Sequence, residues 1–254
     1  MRASLHHDGL QEGVVEARAY QLEAVDVALS SSTLLVLPTA AGKTAVAWMV
    51  MAEMLERTTG WALMIAPTAA LVKQHLDDLE LVFDKHLTQP ISMSGAIPPS
   101  KREGMWNKGR LVVSTPQVVR NDVNRGLLDL SDCCLLIIDE AHHSTGERAE
   151  AQVADLYLEF ANKPLILGMT ASPGSNIQKV EGICNRLRVG RIHLRTSEDD
   201  MLSEHLANLE IEELRVRVPN EIRELVEPFI RWQETIVERE RRLGRYVMPG
   251  AVTH

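Results

Sequence analysis

The chain has 254 residues, 45% of them hydrophobic, enough to bury a full core and build at least one sizeable domain. Its formal net charge of −8 argues against indiscriminate coating of nucleic acid or anionic membrane, while leaving room for a local basic track. The three cysteines show no metal-type spacing, no signal-like apolar core opens the chain, and no apolar run reaches the roughly 18 residues of a membrane span, so the sequence reads as cytoplasmic with no membrane partner.

After a polar start, in which His6 and His7 read as tail rather than metal ligands, continuous apolar blocks recur at Thr33–Leu37, Trp61–Ala66, Arg110–Ser114, Leu135–Ile138 and Leu165–Met169. Such blocks mark strands covered on both faces of a parallel sheet. Helix-period segments lie between them. Lys43–Glu56 is apolar nearly all round and predicts a buried helix, with Trp48 in the core. Ala69–Phe83, Pro116–Leu128 and Arg148–Phe160 predict surface helices, and Cys133 and Cys134 read as strand core. The alternation predicts an α/β domain with a mainly parallel central sheet flanked by helices, and ligands at the carboxyl ends of its strands. Beyond about residue 200 the pattern changes. Leu209–Val218 could form one more strand, and Pro219 opens a charge-rich helical stretch to Leu243 with an apolar stripe from Ile222 to Val237. Pro228 is a possible kink, and Trp232 reads as a packing or partner-facing residue.

The first strand runs into Pro38-Thr39-Ala40-Ala41-Gly42-Lys43-Thr44 and then into the buried helix. Strand, small-residue loop, Gly-Lys-Thr and helix are what a phosphate-binding loop needs: backbone N–H groups of Thr39, Ala40, Ala41 and Gly42 near the helix start cradle phosphates. Lys43 would reach the β- and γ-phosphates of ATP, and the Thr44 hydroxyl would bind Mg²⁺. The general pattern has glycine where Leu37 stands, and alanine at position 40 fits only where φ is negative. The fourth strand ends in Asp139-Glu140-Ala141-His142. Two acids leaving a buried strand need a reason, and a metal supplies one: Asp139 would hold Mg²⁺, and Glu140 would orient and deprotonate the attacking water. His143 reads only as a cap on the turn that follows. The fifth strand ends in Thr170-Ala171-Ser172-Pro173-Gly174, by itself an ordinary turn.

Together, phosphate loop, DEAH box and T-A-S on successive strand ends resemble the superfamily 2 helicases, and the fuller wording (LPTAAGKT, APTAALVKQH, STPQVVRNDV, IIDEAHHS, LGMTASPGS) looks most like the archaeal Hef and Fanconi anaemia group M helicases. Helicase variants of the loop usually carry glycine at the place of Ala40. The resemblance implies a RecA-like lobe, with Arg18 to Gln21 as the adenine-recognition element and Gln21 reading the base edge. It implies nucleic-acid contacts at Pro67, Thr68 and Gln74 and again at Thr115 and Pro116. It makes His142, Thr170 and Ser172 the coupling residues between ATP and the strand-gripping loops. It also implies a domain 1-205 of RecA-like type, then 206-254 as a linker strand and the first helix of an incomplete thumb-like helical insertion, with a second RecA-like lobe, in the same or another chain, as partner.

Residues themselves add support for a nucleic-acid contact. From Lys101 to Arg125 six basic residues (Lys101, Arg102, Lys108, Arg110, Arg120, Arg125) stand against Glu103 and Asp122, a local +4 beside Thr115. The preferred expectation is remodelling of branched or forked DNA. A double-stranded RNA translocase, and a nucleotide-binding interaction module without turnover of its own, are the alternatives.

Overall fold

The computed structural model describes residues 3–4, 7–172, 177–196, 199, 202 and 220–243. His6, Pro173, Gly174, the expected strand Leu209–Val218 and Pro219 lie outside the described residues. The chain divides into two units, Met1–Ala207 and Asn208–His254.

The first unit is built on a seven-stranded sheet of β3 (Thr33–Val36), β4 (Trp61–Ile65), β5 (Pro90–Met93), β6 (Leu111–Ser114), β7 (Cys133–Ile138), β8 (Ile166–Thr170) and β9 (Arg191–Leu194). Their order is β5-β6-β4-β7-β8-β3-β9, and every pair is parallel. A separate two-residue antiparallel pairing joins β1 (Ala3–Ser4) to β2 (Glu16–Ala17). The five expected apolar blocks are β3, β4, β6, β7 and β8. The edge strands β5 and β9 are additions to that expectation.

Among the described residues of this unit are the helices α1 (Ala19–Ser30), α2 (Lys43–Arg57), α3 (Ala69–Val82), α4 (Pro99–Arg102), α5 (Pro116–Asn124), α6 (Ala149–Phe160) and α7 (Ile177–Arg186). Because successive strand residues face opposite sides, the apolar blocks feed two cores. Leu35, Met64, Val113, Ile137 and Met169 pack with α1, α2 and α3, while Leu34, Val36, Leu63, Val112 and Ile138 pack with α5, α6 and α7. Helix α2 is the most enclosed, with Val46, Ala47, Met49, Val50, Met51, Ala52 and Leu55 buried and Trp48 packed against the same core. Helix α5 begins with Pro116 at its first turn, where a missing N–H costs nothing. It stops at Asn124 rather than Leu128, because Gly126 adopts φ 71° and closes the end with Gly126 N–H to Val123 O and Leu127 N–H to Asp122 O.

In the second unit, α8 (Asn220–Arg242) runs through Pro228. Its Ile222, Leu225, Val226, Phe229 and Trp232 side chains are exposed.

Candidate nucleotide site

Five of the segments singled out by their chemistry leave the carboxyl edge of the sheet, whereas Arg18 to Gln21 stand at the start of α1, ahead of β3. In strand order the five are Thr115 and Pro116 after β6, Pro67 and Thr68 after β4, Asp139 and Glu140 after β7, Thr170 to Ser172 at the end of β8, and the Pro38–Thr44 loop after β3. Neighbouring strands lie about 4.8 Å apart, so the loop and the acid pair stand roughly 10 Å apart with β8 between them. That spacing is on the scale of a phosphate chain with its cation, and the carboxyl edge is the ligand position expected for an open parallel sheet.

The loop is shaped by two left-handed residues. Ala41 N–H donates to Pro38 O at 3.2 Å, closing a turn in which Ala40 has φ 65°. With Thr39 not at positive φ, this is a type II turn, which demands positive φ at its third residue. The expectation of negative φ at Ala40 is therefore corrected: the turn needs a glycine-like backbone and an alanine supplies it. Gly42 caps α2 at φ 79°, and a Cβ there would lie 2.3 Å from Gln21 Nε2. Thr39 and Ala40 are exposed, Ala41 is buried and Thr44 is half-buried. The first turn of α2 leaves N–H groups without intrahelical partners, free for phosphate oxygens. Lys43 Nζ rests on the carbonyls of Leu37 (2.9 Å) and Pro38 (3.2 Å). Burial pushes its ammonium below the ordinary lysine range, while Glu140 and then Asp139 oppose that shift, which places both carboxylates within electrostatic reach of Lys43.

Gln21 is 3% exposed and grips the loop. Its Oε1 accepts from Arg18 N at 3.0 Å, and its Nε2 donates to Ala41 O at 3.3 Å and, more weakly, to Gly42 O at 3.5 Å. Both ends of the amide are thus engaged by protein, so reading a base edge would require Gln21 to release these partners. Tyr20 adds a bond from its hydroxyl to Ala41 O (2.9 Å), and Arg18 donates to that hydroxyl at 3.0 Å.

Asp139 is held from two sides. Its Oδ1 accepts from Glu140 N at 3.0 Å, and its Oδ2 lies 3.0 Å from His75 Nε2. Glu140 has φ 51°, a strained position for a side-chain-bearing residue, and caps the short 3₁₀ turn Ala141–His143. His142 Nδ1 lies 3.2 Å from Glu140 Oε2 and 3.0 Å from Thr170 Oγ1. Thr170 Oγ1 in turn accepts from Ser172 N at 3.1 Å. A continuous polar chain thus joins Glu140 to Ser172.

The residues expected to touch nucleic acid are not equally available. Thr68 is exposed and its hydroxyl caps α3, accepting from Leu71 N at 3.2 Å. Gln74 and Lys101 are exposed and Pro67 is half-buried, but Thr115 and Pro116 are buried. Arg102 is a correction. It is 4% exposed, its Nε and Nη2 each donate to Asp122 at 2.6 Å, Nη1 donates to Ile97 O, and Trp106 Nε1 donates to the same carboxylate at 3.0 Å. A guanidinium consumed by a buried carboxylate is unavailable to a phosphate. Arg110 is likewise tied to the carbonyls of Gly60, Leu55 and Thr58, at the amino end of β6 and away from Thr115. Arg120 is half-buried and donates to Gln152 and Asn121. The local +4 thus does not form one track.

Sequence reasoning placed Tyr20 and His75 inside motifs without giving either a role of its own, and it counted Asp122 only as a charge. The last two were findable: His75 falls on the inward stripe Val72, His75, Leu79, Val82 of α3, and Asp122 on the inward stripe of α5 with Val118 and Val119. A polar residue on a buried stripe needs a partner. His7 is not loose tail either, since its Nε2 lies 3.4 Å from both Glu53 and Glu56 of α2. Cys133 is buried, whereas Cys134 is only partly so. Among the described residues no helix is long and apolar enough to cross a membrane.

The family model for DEAD/DEAH box helicases matches residues 18–180. MJ1505 of Methanocaldococcus jannaschii, which carries the name of an ATP-dependent RNA helicase, is 39% identical over 86% of this chain and 28% of its own length. The ATP-dependent DNA helicase mph1 of Neurospora crassa is 30% identical over 87% of this chain and 19% of its own. The crystal structure of the Pyrococcus furiosus Hef helicase domain superposes with a TM-score of 0.72 at 32% identity, covering 80% of this chain and 44% of that one. The chain thus spans less than a third of these curated relatives and less than half of the solved structure.

Proposed function

Because this chain belongs to the DEAD/DEAH box helicase family, we propose that it is the ATP-binding lobe of a motor that remodels branched or forked DNA. The observation that carries this reading is the meeting of three adjacent parallel strands, β3, β8 and β7, whose ends bring the phosphate loop, Thr170 and the Asp139–Glu140 pair to one gap. In this reading Lys43 leaves the Leu37 and Pro38 carbonyls to face the β- and γ-phosphates. Glu140 accepts the proton of the attacking water, and His142 carries the state of Glu140 to Thr170 and Ser172. The residues also fit a magnesium ion. Thr44 and Asp139 offer hard oxygens, and such an ion needs only one or two protein ligands besides water and phosphate; among the described residues no group of three or more His, Cys, Asp or Glu could hold a metal unaided. When bound, Mg²⁺ neutralises charge on the phosphate oxygens.

DNA as the track rests on relatives named as DNA helicases, with Thr68, Gln74 and Lys101 as the exposed contacts. The name of the Methanocaldococcus relative favours RNA as the second reading; competition between matched DNA and RNA duplexes separates the two through the 2′-OH. Helix α8 is read as the first helix of a thumb-like insertion, a second RecA-like lobe as the partner that closes on the nucleotide, and the cell interior as the location. The test of the site itself is calorimetric. Lys43→Ala should weaken ADP and ATP binding by at least tenfold, about 1.4 kcal/mol, and unchanged affinity would overturn the phosphate-loop reading.

A further inference from the structure

Helix α3 connects two parts of the molecule. Its amino end, capped by Thr68, stands at the edge proposed to meet nucleic acid. Further along, His75 turns inward from the same helix, is 6% exposed, and brings Nε2 to 3.0 Å from Asp139 Oδ2. Strand β4, which leads into α3, and β7, which ends at the residue before Asp139, are direct neighbours, and Asp139 N–H donates to Ile65 O at 3.0 Å. Backbone and side chain of Asp139 are therefore both referenced to the β4–α3 unit.

The two oxygens of Asp139 are differently placed. Oδ1 is satisfied within its own chain segment by Glu140 N–H. Oδ2 depends on the ring of a residue 64 positions away. A carboxylate oxygen is an acceptor, so the ring nitrogen facing it carries the proton. The other ring nitrogen, Nδ1, is buried without a hydrogen-bond partner. A buried unpaired nitrogen is costly, and an apolar side chain on the stripe of Val72, Leu79 and Val82 would avoid the cost. The feature that distinguishes histidine here is the bond to Asp139.

We propose that His75 is a positioning residue: it orients the Asp139 carboxylate for the divalent cation of the nucleotide site and thereby ties the cation position to the helix that leads to the nucleic-acid edge. The proposal rests on the reading of Asp139 as the cation-holding group. A carboxylate free to rotate about its side-chain bonds would spend part of its time with the wrong lone pairs presented. Loss of a hydrogen-bond partner behind a metal-binding group typically costs about 10–100-fold in metal affinity.

The experiment measures binding of a fluorescent ADP to the 254-residue chain while Mn²⁺ is titrated, with a parallel measurement in EDTA. His75→Leu should raise the Mn²⁺ concentration needed for half-maximal tightening by about 10–100-fold, leaving the affinity in EDTA unchanged. His75→Gln places an amide N–H near the position of Nε2 and should return the Mn²⁺ requirement close to that of the parent. A purely structural role would lower both affinities together and would not discriminate Gln from Leu. Should His75→Leu fail to fold, His75→Phe keeps the ring volume and carries the same comparison. Parental Mn²⁺ dependence in the apolar variant overturns the proposal. If Lys43→Ala weakens the nucleotide in that same series, the reading of the site survives and only the role of His75 falls. A parent that binds no nucleotide, or Lys43→Ala without effect, overturns both.

Discussion

Replacing Ala40 by glycine tests the phosphate loop through its backbone. At φ 65° the alanine Cβ crowds the following carbonyl, at a cost of about 1–2 kcal/mol. Glycine removes that cost but enlarges the freedom of the unfolded chain, which takes back about 0.4–1 kcal/mol. The balance favours glycine by roughly 0.5–1 kcal/mol, a rise in Tm of about 1–4 °C for a domain of this size. Urea unfolding with the slope held equal between variants measures it. Gly42→Ala provides the opposite sign in the same loop, since its new Cβ would meet Gln21 Nε2 at 2.3 Å with φ at 79°. Nucleotide affinity should stay close to parental in Ala40→Gly, because the turn is already formed. A glycine variant less stable than the parent would refute the reasoning, since it would mean that position 40 is not held in the left-handed region in solution.

Asp122→Ala should destabilise the fold by about 3–5 kcal/mol, because it strands the buried Arg102 guanidinium and Trp106 Nε1; a change below about 1 kcal/mol in urea unfolding would deny the brace its role. Lys101→Ala together with Arg120→Ala should leave stability nearly untouched and lower the log–log salt slope of DNA binding by roughly one for each phosphate no longer neutralised. An unchanged slope would put the phosphate-binding groups elsewhere. In any form of the protein that turns ATP over, Glu140→Gln should keep nucleotide binding and abolish hydrolysis, since the amide cannot take the water's proton. Turnover at the parental rate would remove Glu140 from the role of base.

The central sheet was legible because its inner strands are covered on both faces and so are written as unbroken apolar blocks. The edge strands were not: Pro90-Ile-Ser-Met and Arg191-Ile-His-Leu mix polar residues with apolar ones, as strands with one open side do. Helix α1 escaped notice because its inward face relies on Ala24 and Ala28 beside Tyr20, Gln21 and Val25, a weak periodic signal. At the site, spacing along the chain was enough to nominate Lys43, Asp139 and Glu140, whose segments the fold brings to one gap. Spacing could not separate a solvated arginine from a buried one, so Arg102 was placed on a track it does not join. Nor could it show that Gln21 and Tyr20 hold the loop, since that pairing exists only once α1 packs on α2.

The position of β3 has a consequence for how the molecule is made. Its two neighbours in the sheet, β8 and β9, are both synthesised far later: Ser32 Oγ accepts from Ile166 N–H across 134 residues of chain. At roughly 5–20 residues per second, ribosomal synthesis takes on the order of 10 s to cover that interval. Throughout it, the strand that launches the nucleotide loop has neither edge paired, while β4, β6 and β7 can already associate. Such distant pairing makes for slow closure and exposes an adhesive edge meanwhile. Nascent chains released before Thr170 should therefore be the species most in need of chaperones, and ATP could act as a folding ligand only after β8 has been threaded between β7 and β3.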